Sequence, residues 1–244
     1  MQAHIERTMF HNMNDMSQPL GRPSEPDSRP GLFAESGRVE AFSDGVFAIV
    51  ITLLVLDLKA PATEHKVLHD LLAQWPAYVA YLASFAYVGV IWVNHHQLFT
   101  RLARVNTALL WWNLALLLTM SVLPFPTSVV SSAFQFGDRA DERTALIFYG
   151  IVGVASAASW LLLFHFLSRS PRLLKDETHA AFFAAERHRA LIGIASYAVA
   201  ALSAAWSPVA GLIIICALPV FYGVTSTGWR FPGPAASSPP AGGP

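Results

Sequence analysis

Four polar residues stand inside apolar stretches of this sequence: Asp44, His95, His96 and Asn113. Asp44 follows Arg38 by six residues, about 9 Å along a helix. A carboxylate at the centre of a bilayer costs roughly 3 kcal/mol, and less near an end. Asp44 should therefore face protein and have a partner. A second apolar stretch closes with Trp92-Val93-Asn94-His95-His96, and a third opens at Thr107 and carries Asn113 six residues on. Successive stretches cross in opposite directions, so Asp44, His95 or His96, and Asn113 can meet at one depth. Three chemistries suit such a cluster: a structural polar lock between helices, a proton relay, or a metal site. The penalty for burying unpaired polar groups favours the lock.

The first stretch also carries an aliphatic stripe. With successive residues at 100° and Ile49 as origin, Leu53 falls at about +40°, Leu56 at about −20° and Thr52 at about −60°. Asp44 falls at about −140°, on the other side. By itself, such a stripe signifies helix packing or lipid contact.

These residues need helices in a membrane to position them. Apolar residues make up 54% of the 244-residue chain and charged residues 13%, about half the charge of a soluble domain. The apolar residues gather in six segments, near 38–58, 75–96, 107–130, 145–167, 190–206 and 208–226. This pattern predicts an all-α polytopic membrane protein with six transmembrane helices. The fifth segment, at 17 residues, is near the lower limit for a span. Ser207-Pro208 supplies a stop and a restart, making the last two spans a tight hairpin. Pro124 and Pro126 should kink or end the third span. The polar, Pro-rich stretches 1–35 and 227–244 read as disordered cytoplasmic tails flanking a membrane domain at 36–226. Six spans put twelve Lys and Arg on the side of the tails and four on the other, so both termini are expected in the cytoplasm of a cell's inner membrane.

Composition also excludes classes. The net charge is zero, so no basic face argues for nucleic acid. Cys216 is the single cysteine, which rules out an internal disulfide or a multi-cysteine metal centre. Six spans and their connections leave no room for a soluble catalytic domain, so the chain reads as no enzyme.

The segment Arg38-x-x-x-Phe42-Ser43-Asp44, opening the first of six spans, resembles the signature of the transmembrane-protein-175 potassium-channel family, in particular its single-repeat prokaryotic members. The likeness continues through Gly45-Val46-Phe47-Ala48-Ile49 and Thr52-Leu53-Leu54-Val55-Leu56, Trp92 to His96, and Pro124-Phe125. It covers roughly 36–226. The resemblance implies a homotetramer in the bilayer whose pore is lined by the first helix of each subunit. It implies a constriction at Ile49, Leu53 and Leu56, with Thr52 as a polar layer between them. Arg38, Phe42, Ser43 and Asp44 would be the family motif, and permeant potassium the only ligand, with no cofactor. The sequence has no Thr-Val-Gly-Tyr-Gly filter and no ladder of arginines. The expected activity is therefore a leak-type potassium-permeable channel without intrinsic voltage sensing.

Two other classes stay open at this level. A secondary transporter would be expected to show inverted repeats and broken central helices. A haem-binding membrane protein could use His95, His96 or His165. Among lesser features, Asp57 reads as an interfacial acid. The amphipathic stretch Thr178–Arg189 reads as a surface helix or a connector. Trp75, Trp206 and Trp229 suit an interfacial aromatic belt.

Overall fold

The computed structural model describes residues 36–61 and 66–225. The stretches read as tails, and Trp229 with them, lie outside the described residues. Among the described residues eight α-helices run in order: α1 (Ser36–Leu54), α2 (Val67–Ala73), α3 (Trp75–Phe99), α4 (Thr107–Val122), α5 (Pro124–Phe136), α6 (Arg139–Ser168), α7 (His179–Trp206) and α8 (Pro208–Thr225). Short 3-10 turns at Val55–Asp57 and Pro171–Leu173 complete them. No strand occurs among the described residues. Among the described residues these make six spans, because α4 and α5 together form one of 30 residues. The chain is an all-α multi-pass membrane protein.

Local chemistry explains where the helices stop. Asn106 caps α4, accepting the Leu109 N–H at 2.9 Å. Pro124 and Pro126 have no N–H to donate to the preceding turn, so the ladder breaks at Leu123 and α5 restarts with Pro124 at its N-terminus. The Thr127 hydroxyl donates to the Leu123 carbonyl at 2.9 Å and occupies an acceptor at the break. Asp138 and Asp141 form a reciprocal capping box at the start of α6. Ser207 separates α7 from α8, and Pro208 opens α8, as the sequence predicts.

The fifth span differs from expectation. It is not a short segment preceded by a surface helix; α7 is one helix of 28 residues. Phe183 is fully buried and stacks on Phe164 with centroids 6.1 Å apart. Phe182 lies under the Arg101 guanidinium, 4.1 Å from its centroid. Glu186 accepts from Arg189 at 2.9 Å one turn on. Glu186 and Arg189 thus neutralise each other within the helix, and it continues into the span.

Packing among the helices relies on small residues, as membrane bundles do where no water drives association. A Cβ on Gly153 of α6 would sit 2.4 Å from the Tyr197 ring of α7, and one on Gly211 of α8 would sit 2.7 Å from Ala204 Cβ. Two hydroxyl clusters tie the interior. Ser84 Oγ bonds to Thr127 Oγ1 and to the Tyr149 hydroxyl at 2.8 and 3.0 Å, and Tyr87 donates to Ser156 at 2.9 Å. Helix α1 packs through Val39, Ser43, Phe47, Val50 and Leu54 against α3, α4 and α5.

Candidate pore-lining face and polar network

One face of α1 is closed by its neighbours and the opposite face is open. Phe47, Val50 and Leu54 are at most 1% exposed, whereas Ile49, Leu53 and Leu56 are 60%, 42% and 71% exposed. Arg38, Phe42 and Thr52 lie on the open side. The aliphatic stripe is therefore not consumed by packing within the subunit. The Thr52 hydroxyl donates to the Ile49 carbonyl at 2.8 Å. Its hydrogen is tied to the backbone, so the oxygen keeps its lone pairs for another group.

The polar residues of α1, α3 and α4 meet, but not in the expected pairing. Asp44 Oδ1 accepts from Trp92 Nε1 at 2.9 Å, not from His95, His96 or Asn113. Ser43 is the residue of α1 that enters the buried cluster. Asn113 Nδ2 donates to Ser43 Oγ at 2.9 Å, and His95 Nε2 bonds to Asn113 Oδ1 at 2.9 Å. His96 Nδ1 bonds to Glu40 Oε1 at 2.7 Å, in a more exposed setting. The correction has a geometric cause. Depth along the helices fixes only one coordinate, and neighbouring residues on a helix point about 100° apart. Ser43 points to α4, and Asp44 turns to the flank of α3.

The Asp44–Trp92 and Glu40–His96 pairs have an antiparallel register. One turn earlier on α1 meets one turn later on α3. Glu40 and Trp92 were not among the polar candidates, yet their spacing was a signal. Glu40 and Asp44, like Trp92 and His96, stand four residues apart and so share a helix face.

The buried chain of hydrogen bonds fixes its own directions. Ser43 Oγ donates to the Val39 carbonyl at 2.9 Å and so accepts from the Asn113 amide. The Asn113 oxygen must then accept, so His95 carries a proton on Nε2. The ring is held by Phe99, stacked at 4.6 Å, and by Phe47, edge-on at 5.2 Å. Ser43, His95 and Asn113 are all buried. Asp44, His95 and His96 each bond to a different partner, so they do not converge on a common point where a metal ion could sit. Among the described residues no group of three or more His, Cys, Asp or Glu could hold one. The cluster links α1, α3 and α4 through hydrogen bonds.

The fold is a six-span helical bundle whose first helix keeps an exposed apolar face. A profile of the family described as "Endosomal/lysosomal potassium channel TMEM175" matches residues 38–124, the part holding all of these residues. A potassium channel of Streptomyces collinus is 44% identical over 165 residues, 67% of this chain and 79% of that one. The crystal structure of a lysosomal potassium-selective channel TMEM175 homologue from Chamaesiphon minutus superposes with a TM-score of 0.68 at 33% identity, covering 79% of this chain and 98% of that one. The human endosomal/lysosomal proton channel TMEM175 is 39% identical over 129 residues, 49% of this chain and 25% of that protein. The chain belongs to the TMEM175 family, and it is an ion channel, not an enzyme.

Proposed function

We propose that four copies of this chain enclose a potassium-conducting pore along the open face of α1, narrowed by Ile49, Leu53 and Leu56 with Thr52 between them. Two observations support this reading together: the stripe is exposed on α1, and α1 lies in the stretch 38–124 that the channel family's profile matches. One chain contributes one α1, and one helix cannot surround an ion path. Fourfold repetition puts four branched side chains into each ring.

An uncharged aliphatic ring gates by dewetting and selects through the penalty for ion dehydration. Potassium sheds water more readily than sodium, so a narrow ring favours it. The Thr52 oxygen offers a polar station within that barrier. The potassium-channel names of the bacterial relatives support the ion. The bias of Lys and Arg toward one side supports a cell-membrane protein with both termini in the cytoplasm. With neither a voltage-sensing helix nor a ligand domain in the spans, the activity is a leak conductance.

The test is recording from the purified protein in a planar bilayer with potassium on one side and sodium on the other. The reading expects discrete currents reversing toward the potassium equilibrium potential. Saturable uptake without single-channel steps would replace the channel by a transporter for this chain. The animal relatives carry the name proton channel, so a pH gradient under the same conditions measures the proton share.

A further inference from the structure

At the ends of α3 and α6 two loops are fastened into one ledge. Ala103 N–H donates to the Leu173 carbonyl at 2.8 Å, and Lys175 N–H donates to the Arg101 carbonyl at 3.0 Å. Leu102 and Leu174 pair as an antiparallel bridge. Leu102, Val105, Leu173 and Leu174 are buried beneath it. The basic side chains of this ledge are therefore held on a rigid base.

Arg169, Arg172 and Lys175 are exposed there. None of the three side chains has an ion-pair partner among the described residues. Arg101 is spent internally, on the Gln97 carbonyl and side chain and on the Phe182 ring. Of the two nearby acids, Asp176 is turned to the start of α7, accepting from the Thr178 N–H at 2.8 Å. Glu177 is exposed. The position matters as much as the charge. Apolar spans end at Phe99 and Ser168, so the ledge lies where hydrocarbon gives way to the phosphate layer of a bilayer.

We propose that this ledge, apart from the pore-lining face, docks the headgroup of an anionic phospholipid, with Arg169, Arg172 and Lys175 around its phosphate. Juxtamembrane cations attract net-negative lipids by about 1 kcal/mol each. A zwitterionic headgroup cancels most of that attraction with its own cation. A soluble phosphate has the same charge but no acyl chains to hold it at this depth.

The test is native mass spectrometry of the full-length, detergent-purified protein titrated with phosphatidylglycerol and with phosphatidylcholine of the same chains. Phosphatidylglycerol should bind at least about tenfold more tightly. Lys175→Gln alone should weaken it about fivefold, and Arg172→Gln with Lys175→Gln about 30-fold, with phosphatidylcholine unchanged. Arg172→Lys, which keeps the charge, should hold affinity within about twofold. Equal binding of the two lipids would overturn the proposal. So would an equal loss in Arg139→Gln at the far end of α6, which would make the effect one of net charge. Displacement of the lipid by millimolar glycerol phosphate would assign the site to a soluble phosphate and also overturn it.

Discussion

Phe47 and Ile49 are two residues apart on α1 and occupy opposite environments: Phe47 is 1% exposed beneath His95, and Ile49 is 60% exposed on the open face. That contrast separates residues that hold the subunit together from residues that can meet an ion. Phe47→Ala should therefore destabilise the protein by about 3–5 kcal/mol, the range for a large buried aromatic. Equilibrium unfolding in detergent checks this. Surviving channels should keep their selectivity, and a selectivity change in well-folded Phe47→Ala would mean that the face assignment is reversed.

Asn113 bonds to both Ser43 and His95 in a buried setting. Asn113→Ala leaves the His95 Nε2–H without a partner, while Ser43 keeps its bond to Val39, and should cost about 1–3 kcal/mol. His95→Phe with Asn113→Leu should cost less than the sum of the two single changes, because the pair then leaves fewer orphaned groups. Additive losses would show that the chain of bonds is not formed.

The Asp44–Trp92 bond lies at the edge of the packed region and should couple the two residues by about 1 kcal/mol. A double-mutant cycle of Asp44→Ala and Trp92→Phe measures it. Asp44→Ala should lower the yield of assembled channel and leave selectivity little changed. Coupling of Asp44 to His95 in place of Trp92 would restore the pairing expected from depth alone.

Much of this site could be read from the amino acids and some of it could not. The six spans follow from apolar length, and the common face of Ile49, Thr52, Leu53 and Leu56 follows from the roughly 100° rotation per residue. The Ser207-Pro208 hairpin is local chemistry. The choice between Ser43 and Asp44 as the buried partner was not legible, since it depends on how α1 is rotated against α3 and α4. That rotation is set by packing across three helices. The continuation of α7 through Thr178–Arg189 was hidden for a similar reason. Glu186 and Arg189 pair within the helix, and Phe182 is covered by the distant Arg101, a contact no window along the chain can reveal.

Asp138 makes one end of α6 sensitive to acid. Its carboxylate accepts from the Asp141 and Ala140 N–H groups, which hold it below the ordinary carboxylate range. A depressed folded value means the cap stabilises fully above the ordinary range and is lost as pH falls through the depressed one. Amide exchange at Ala140 and Asp141 should accelerate over that acidic interval and stay protected at neutral pH. Asp138→Asn should flatten the dependence, because its amide oxygen caps without titrating. An unchanged acid response in Asp138→Asn would place the sensitivity elsewhere.

Reversal potentials under mixed potassium and sodium gradients probe the proposed constriction. Leu53→Ala opens the middle ring and Ile49→Asn makes another ring polar, so both should raise current and move the reversal potential toward zero. Thr52→Val keeps the size and removes the hydroxyl oxygen, so it should weaken selectivity with little change in conductance. Ile51→Ala, on the packed side, should leave the reversal potential where it is. If Leu53→Ala and Ile49→Asn assemble normally with unaltered current and reversal potential, the open face of α1 is a packing or lipid surface and the ion passes elsewhere.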